Sequence, residues 1–150
     1  MIAVDTNTIV YAVDKRDPTK NVTSAVLMAD LAVRDDVVIP LQVLGELSNA
    51  LRRRVKVPGE IVSELVSMHL QNFHSFQYNA EDVLVGNELA NRGVSSFWDG
   101  VLLASCERFG CKVLISEDMN DGFMFGALEI VSPFAGAGAR SPRLAEVLIQ

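Results

Sequence analysis

The chain has 150 residues, a length suited to one domain that buries a core without disulfides or a structural metal. Apolar residues make up 49% and charged residues 21%, a composition that excludes bulk disorder. The net charge of −6 excludes a protein that coats nucleic acid by overall attraction, because such binding rests on Lys and Arg.

The cysteines and the N-terminal segment indicate the compartment. Cys106 and Cys111 lie five residues apart, with no second pair to complete a zinc site. They suit a reduced compartment, and the alternative of a disulfide stays open. The first ten residues contain no basic leader and no long apolar run, so we expect no secretory signal. No window approaches the roughly 20 apolar residues of a membrane span, so a cytoplasmic protein is expected.

The first third of the chain alternates short apolar runs with helical patterns. Ile2 to Val4 is a buried-strand pattern, and residues at helical spacing follow it. In chain order the predicted elements are a strand at 2–4, a helix at 6–13, a helix at 21–34, a strand at 37–39 and a helix at 41–55.

The rest of the chain continues in the same way. Pro58 suits the first turn of a helix, Asn79 suits a helix cap, and Ser95 or Ser96 suits another. The predicted elements are a helix from Pro58 to about residue 73, a short strand at 74–78, a helix at 79–91, a helix from 95 or 96 to Gly110, a strand at 113–115 and a strand at 129–132.

Short apolar strands separated by helices predict an α/β fold, with a short parallel sheet between helices on both faces. The only break in composition is at residue 135, where the linker-like AGAGARSP begins. We therefore expect one domain over 1–134 and a tail over 135–150, whose last residues, LAEVLIQ, suit one or two helical turns.

Three acidic residues follow predicted strands, where ligands bind in open α/β sheets. Asp5 comes directly after the first strand, and Asp118 and Asp121 come shortly after the strand at 113–115. Each has a plainer explanation. Asp5 could cap the helix that follows it, and Asp118 and Asp121 could belong to an acidic surface turn.

Two further acidic residues lie on predicted helices. Glu46 is at the edge of an apolar stripe, where it could equally be a solvated side chain or pair with Arg53 or Arg54. Asp99 shares a helix face with apolar residues, and a carboxylate there is costly unless it is paired or holds a metal. The alternative is that Asp99 lies in the first turn and interacts with the helix N-terminus.

A cluster of carboxylates suits a particular chemistry. Mg²⁺ and Mn²⁺ prefer oxygen ligands and keep several waters, and they relieve the repulsion between neighbouring carboxylates. One or two such ions can activate water and stabilise charge on a phosphodiester. The acidic net charge permits this, because a bound cation offsets the carboxylates and a local basic patch can guide the substrate.

The motifs, taken together and in order, resemble the PIN domain family and, within it, the VapC-like toxins. Each motif is weak alone, and the resemblance covers about residues 1–134. The matching segments are Val-Asp-Thr-Asn at 4–7, Gly-Glu-Leu at 45–47, Phe-Trp-Asp at 97–99, Leu-Ile-Ser-Glu-Asp-Met-Asn-Asp-Gly at 114–122 and Val-Ser-Pro-Phe at 131–134.

The resemblance implies a three-layer α/β/α fold and a catalytic, metal-binding set of acidic residues. The positions that match the family's acids are Asp5, Glu46, Asp99 and either Asp118 or Asp121, with Glu117 ranked below them. Ser116 matches the family's polar residue before the acidic turn. Asn7 departs mildly from the pattern, since the family often has Ser there.

The resemblance also implies a function. It predicts a Mg²⁺- or Mn²⁺-dependent endoribonuclease that hydrolyses RNA, a homodimer and, for a toxin, inhibition by a small VapB-like antitoxin protein. The alternative is a catalytically silent PIN-type module that binds RNA or protein.

One basic cluster, Arg52 to Arg54 with Lys56, could guide an RNA backbone. It also suits the C-terminus of a helix, where cations are favourable, and the sequence favours that plainer interpretation.

Overall fold

A five-stranded sheet forms the centre of the fold in the structure, a computed structural model that describes residues 1–149. The strands are β1 (Ile2–Val4), β2 (Val37–Val38), β3 (Val113–Ile115), β4 (Met124–Phe125) and β5 (Leu128–Val131). Their order is β2-β1-β3-β5-β4, and only β4, at the edge, runs antiparallel. The predicted α/β fold with a parallel sheet is confirmed.

In the described part of the chain, seven α-helices flank this sheet. They are α1 (Thr6–Val13), α2 (Pro18–Leu31), α3 (Leu41–Ala50), α4 (Gly59–Asn72), α5 (Ala80–Asn91), α6 (Phe97–Phe109) and α7 (Pro142–Ile149). All residues of β1, β2 and β3 are buried. Burial on both faces explains why these strands are continuous apolar runs rather than alternating ones. Within residues 1–149, no helix has the length and apolar character needed to cross a membrane.

The pairing of β1 with β3 positions the residues that follow these two strands. Ala3 is level with Leu114, and the Asp5 amide donates to the Ile115 carbonyl at 2.9 Å. Because the two strands are parallel, the residues that follow them, Asp5 and Ser116, emerge side by side at the same edge of the sheet.

The helix predicted at 41–55 is divided in two. The α-helix ends at Ala50, and a π-helical turn over Leu51–Val55 follows it. Lys56 then ends the turn in the left-handed region, at φ 63°. The wider π turn changes the direction of Arg52 to Arg54 from that expected of a continuous α-helix.

The strand predicted at 74–78 does not form. His74 makes a single parallel bridge with Val38, and the amides of Ile39 and Leu41 donate to the carbonyls of His74 and Phe76. Because β2 has only two residues and α3 begins at Leu41, no partner strand remains for a longer ladder.

The residues after 134 pack against the domain. A short 3-10 turn at Gly136–Gly138 precedes α7, and Leu144 and Val147 of α7 are buried. The Thr23 hydroxyl donates to the Gly138 carbonyl at 2.9 Å, and Arg34 donates to the Leu148 carbonyl at 2.8 Å. The tail is therefore fixed to α2 and to the loop that follows it.

Truncation of Leu144 should destabilise the whole domain. Leu144 is fully buried, so Leu144→Ala should lower the free energy of unfolding by roughly 2–5 kcal/mol in urea denaturation. Ile149 in the same helix is 86% exposed, and Ile149→Ala serves as the matched control, with a change within about 0.5 kcal/mol. Equal effects of the two variants would mean that α7 is not integral to the fold.

Candidate active site

Asp5 is the most buried carboxylate at the edge of the sheet, with 6% of its surface exposed. Its Oδ1 accepts from the Thr6 amide at 2.6 Å, and its Oδ2 accepts from the Ser116 hydroxyl at 2.7 Å. Asp5 is thus the N-cap of α1, as its plainer explanation required. Asp5 also lines a cleft, so the same residue caps the helix and belongs to the candidate site.

Glu46 reaches the same edge from α3. Thr6 Oγ1 donates to Glu46 Oε2 at 3.0 Å, and Gln42 Nε2 donates to Glu46 Oε1 at 2.9 Å. These bonds hold the carboxylate between α1 and its own helix.

Asp118 lies just beyond the end of β3. Asn7 Nδ2 donates to Asp118 Oδ2, and Arg54 Nη1 donates to Asn7 Oδ1 at 3.3 Å. Asn7, which departs from the family pattern, therefore joins the acidic turn to the basic π turn.

Asp99 lies in the first turn of α6, where its amide donates to the Ser96 hydroxyl at 3.2 Å. Asp99 therefore lies in the first turn of the helix, as the alternative interpretation expected. The next residue, Gly100, lies against α5: an added Cβ would come within 2.9 Å of the Gly86 Cα. This close approach of α5 and α6 fixes the start of α6 and so the place of Asp99.

The four carboxylates line one cleft of about 330 Å³. Asp5, Glu46, Asp99 and Asp118 come from four different elements or their ends. We call this space the carboxylate cleft. Asn49, Arg53 and Arg54 also line it.

Asp121, the other alternative in the acidic turn, does not line the carboxylate cleft. Its Oδ1 accepts from the Ser132 amide at 2.7 Å, which ties the turn to the end of β5. Glu117 pairs with Lys20. Of the three acids in this turn, the structure brings only Asp118 into the cleft with the other carboxylates.

The carboxylates disfavour one another's charge. Burial raises the pKa of Asp5 from 3.8 to about 6, and the nearby Glu46 and Asp118 carboxylates add to the shift against the hydrogen bonds from Ser116 and Thr6. Burial also raises the pKa of Asp118, with further contributions from Glu117 and Asp99. A bound cation would remove this repulsion.

The donor set suits Mg²⁺ or Mn²⁺, because all four acidic groups offer oxygen. No three carboxylate, imidazole or thiol groups among residues 1–149 converge closely enough to enclose a metal. Mg²⁺ is commonly held by one or two carboxylates and several waters, so a site for it does not require three converging protein groups.

Sequence reasoning missed two polar residues of the cleft. Thr6 holds Glu46, and only its place beside Asp5 could have indicated this. Asn49 lies three residues after Glu46 on α3, so helical spacing places the two side chains on one face and could have identified it.

Replacement of Asp5 should stabilise the metal-free protein. Because the folded-state pKa of about 6 lies above 3.8, folding favours the protonated acid. The cost of ionising Asp5 is absent below about pH 4 and complete above about pH 6. Asp5→Asn should therefore raise the free energy of unfolding at pH 7 by at most about 3 kcal/mol, and less at pH 5.

Urea denaturation of both proteins in EDTA at the two pH values measures this difference. Asn keeps an acceptor for the Thr6 amide and a partner for Ser116, so the comparison isolates the charge. A variant that is less stable than the unchanged protein at pH 7 would show that burial and the neighbouring carboxylates do not disfavour the Asp5 charge.

Comparisons with known proteins identify a family and several structures that are similar to this chain. A PIN domain family model matches residues 2–120. No curated protein matches the chain. Among solved structures, the VapC20 toxin of Mycobacterium tuberculosis, described as cleaving the sarcin-ricin loop, has a TM-score of 0.62 and 21% identity, over 81% of this chain and 91% of that one.

Two toxin–antitoxin structures are also similar. VapBC2 from Rickettsia felis, bound to a fragment of its promoter DNA, gives a TM-score of 0.63 and 18% identity, over 88% of this chain and 98% of that one. DNA-bound VapBC from Salmonella typhimurium gives a TM-score of 0.60 and 15% identity, over 87% of this chain and 96% of that one. At these identities the likeness shows the fold. Since the PIN model matches well over half of the sequence, the chain belongs to the PIN domain family.

Proposed function

We propose that this chain is a Mg²⁺- or Mn²⁺-dependent endoribonuclease. The observation that carries the proposal is the meeting of Asp5, Glu46, Asp99 and Asp118 in one cleft. Arg53 and Arg54 line the same cleft. Four acids from separate elements are costly to assemble without a cation to bind. The arginines add a place for a phosphate backbone.

In this proposal Asp5 and Asp99 hold the principal cation, and Glu46 and Asp118 complete the site through water or a second ion. When bound, the cation supplies water activation and stabilises charge on the scissile phosphate. Ser116 and the Thr6 amide orient Asp5, and the Thr6 hydroxyl orients Glu46. Arg53 and Arg54 bind the RNA backbone beside the scissile bond.

We further propose that the protein is the toxin of a VapBC-type pair, with a small VapB-like antitoxin as inhibitor and a homodimer as its assembly. The support is the likeness to VapC20 and to the VapBC complexes of Rickettsia felis and Salmonella typhimurium. A toxin of this kind would hydrolyse RNA phosphodiester bonds.

Substitution of the proposed ligands should abolish cleavage. Asp5→Asn, Asp99→Asn and Asp118→Asn each remove one anionic ligand, so each should reduce cleavage of labelled RNA in Mg²⁺ or Mn²⁺ by at least about 100-fold. EDTA should abolish the activity of the unchanged protein. Asp121→Asn is the matched control, because it keeps the acceptor for the Ser132 amide and lies outside the carboxylate cleft.

The results separate the competing assignments. Full activity in Asp5→Asn or Asp99→Asn would refute the ligand set. Loss of cleavage in Asp121→Asn but not in Asp118→Asn would make Asp121, and not Asp118, the ligand from the acidic turn. Absence of cleavage and of Mn²⁺ binding by calorimetry would favour the silent PIN-type binding module instead.

The two arginines at the cleft should control RNA affinity. Arg53→Ala with Arg54→Ala should weaken RNA binding and lower the slope of log affinity against log salt by about 0.7 for each phosphate that these side chains neutralise. Arg52 is the matched control, since it donates to the Ser48 hydroxyl and the Gly59 carbonyl, away from the cleft. An equal effect of Arg52→Ala would indicate only general charge attraction.

A further inference from the structure

A second, larger cavity of about 850 Å³ adjoins the carboxylate cleft. Glu46, Asn49 and Asp99 line both spaces, so the two are continuous. The lining of the larger cavity also includes Tyr78 and Trp98. We call it the aromatic pocket.

The two rings of the aromatic pocket are presented to solvent. Trp98 is 50% exposed and Tyr78 is 39% exposed, and their ring centroids are 6.0 Å apart at an angle of 63°. Phe97 packs edge-on against Trp98 at 4.9 Å. Large aromatic side chains of this kind are usually covered, and two exposed ones beside a polar cleft provide a stacking surface.

The backbone that carries these rings is held in place. Gln42 Nε2 donates to the Trp98 carbonyl at 3.0 Å as well as to Glu46. On the other side, Arg108 donates to the Gln77 carbonyl at 3.1 Å and pairs with the buried Asp82. The Asp82 carboxylate also accepts from the amide of Asn79. Tyr78 thus lies between two anchored residues, and the aromatic pocket is formed before any ligand binds.

The polar groups of the aromatic pocket select the ligand. Its lining includes the amide side chains of Gln42, Asn49 and Gln77 and contains no Lys, Arg or His among the described residues. Glu46 and Asp99 at the boundary repel a phosphate. The aromatic pocket therefore suits a neutral, planar group with hydrogen-bonding edges, whereas the cations that suit the phosphate backbone, Arg53 and Arg54, lie in the carboxylate cleft.

We propose that the aromatic pocket is a base-binding subsite, in which an unpaired nucleobase of the RNA stacks on Trp98 while the adjoining phosphate lies in the carboxylate cleft. This inference rests on the proposed nuclease. Stacking on aromatic side chains with amide contacts to the base edge is the usual recognition of single-stranded RNA. Trp98 and Tyr78 are then specificity-determining and positioning residues, not catalytic ones.

Gly45 offers a way to close the aromatic pocket without damage to the fold. It lines this space on α3, and a Cβ added there meets no atom within 4 Å. Gly45→Leu therefore places a side chain in the space meant for the base, and it replaces a poor helix former with a good one. Gly136→Leu is the matched control, since an added Cβ there is also free of contacts and the residue lies outside both cavities.

Trp98 is the only tryptophan of the chain, so its fluorescence reports the aromatic pocket directly. The full-length protein in EDTA is titrated with short single-stranded RNA oligonucleotides, and with copies that carry one abasic ribose at each position in turn. We expect quenching by the complete oligonucleotides and loss of the quenching at one abasic position. Gly45→Leu should remove the quenching, and Gly136→Leu should retain it.

Cleavage kinetics with Mn²⁺ provide the second readout. Trp98→Ala should raise KM by about 5- to 100-fold with little change in kcat, because stacking holds the RNA without touching the reacting atoms. Trp98→Phe should recover most of the affinity. Gly45→Leu should raise KM similarly while its resistance to urea equals or exceeds that of the unchanged protein.

The outcomes for the subsite and for the nuclease are distinguishable. Normal cleavage without quenching, with KM unchanged in Trp98→Ala and Gly45→Leu, would overturn the subsite and leave the nuclease standing. Base-dependent quenching without cleavage by any RNA and metal would support the subsite and overturn the nuclease. Quenching by a protein partner and by no RNA would assign the aromatic pocket to a protein segment and overturn the proposal.

Discussion

The parallel pairing of β1 with β3 determines where the chemistry of this protein can take place. It brings Asp5 beside Ser116 at the edge of the sheet. Among residues 1–149, only two hydrogen-bond donors, the Thr6 amide and the Ser116 hydroxyl, stabilise the charge of the buried Asp5 carboxylate. Thr6 and Asn7, which follow in α1, then recruit Glu46 and Asp118. The carboxylate cleft is thus assembled outward from one strand end.

This assembly opposes the stability of the metal-free chain. Each carboxylate near Asp5 makes the ionisation of Asp5 less favourable. Burial of the apolar core stabilises the fold and offsets this cost. In the proposed nuclease, a bound cation would relieve this unfavourable charge. In the proposed nuclease, a bound cation would offset the carboxylates of the cleft, and Arg53 and Arg54 would meet the phosphate, although the net charge of the chain is −6.

Sequence reasoning predicted most of the parallel sheet and the place of Asp5, because apolar strand patterns and the rule for strand ends are local signals. It could not choose between Asp118 and Asp121, since both belong to the same turn and the choice depends on which one reaches the Ser132 amide of β5. That contact is set by the register of β5 against β3, which no local pattern encodes.

The same limit applies elsewhere in the chain. The π turn after α3 and the absent strand at 74–78 are decided by tertiary contacts, which override the local helix and strand patterns. From the sequence, the arginines of the π turn are best explained as favourable charges at a helix C-terminus. In the structure, Arg53 and Arg54 line the cleft together with the acids. Glu46 was selected through a family resemblance, since its position on a helix carries no chemical signal of its own.

One helix borders each of the spaces described above. From Leu41 through Glu46 to Asn49, α3 passes from the aromatic pocket to the carboxylate cleft, and the π turn continues to Arg53. From Leu41 to Ala50 the α-helix measures roughly 14 Å along its axis. Glu46 and Asn49 of this helix line both spaces, so a shift of α3 as a body would change the aromatic pocket and the carboxylate cleft together. In the proposed nuclease, recognition of a base and the position of the cut bond would thus be linked through one helix.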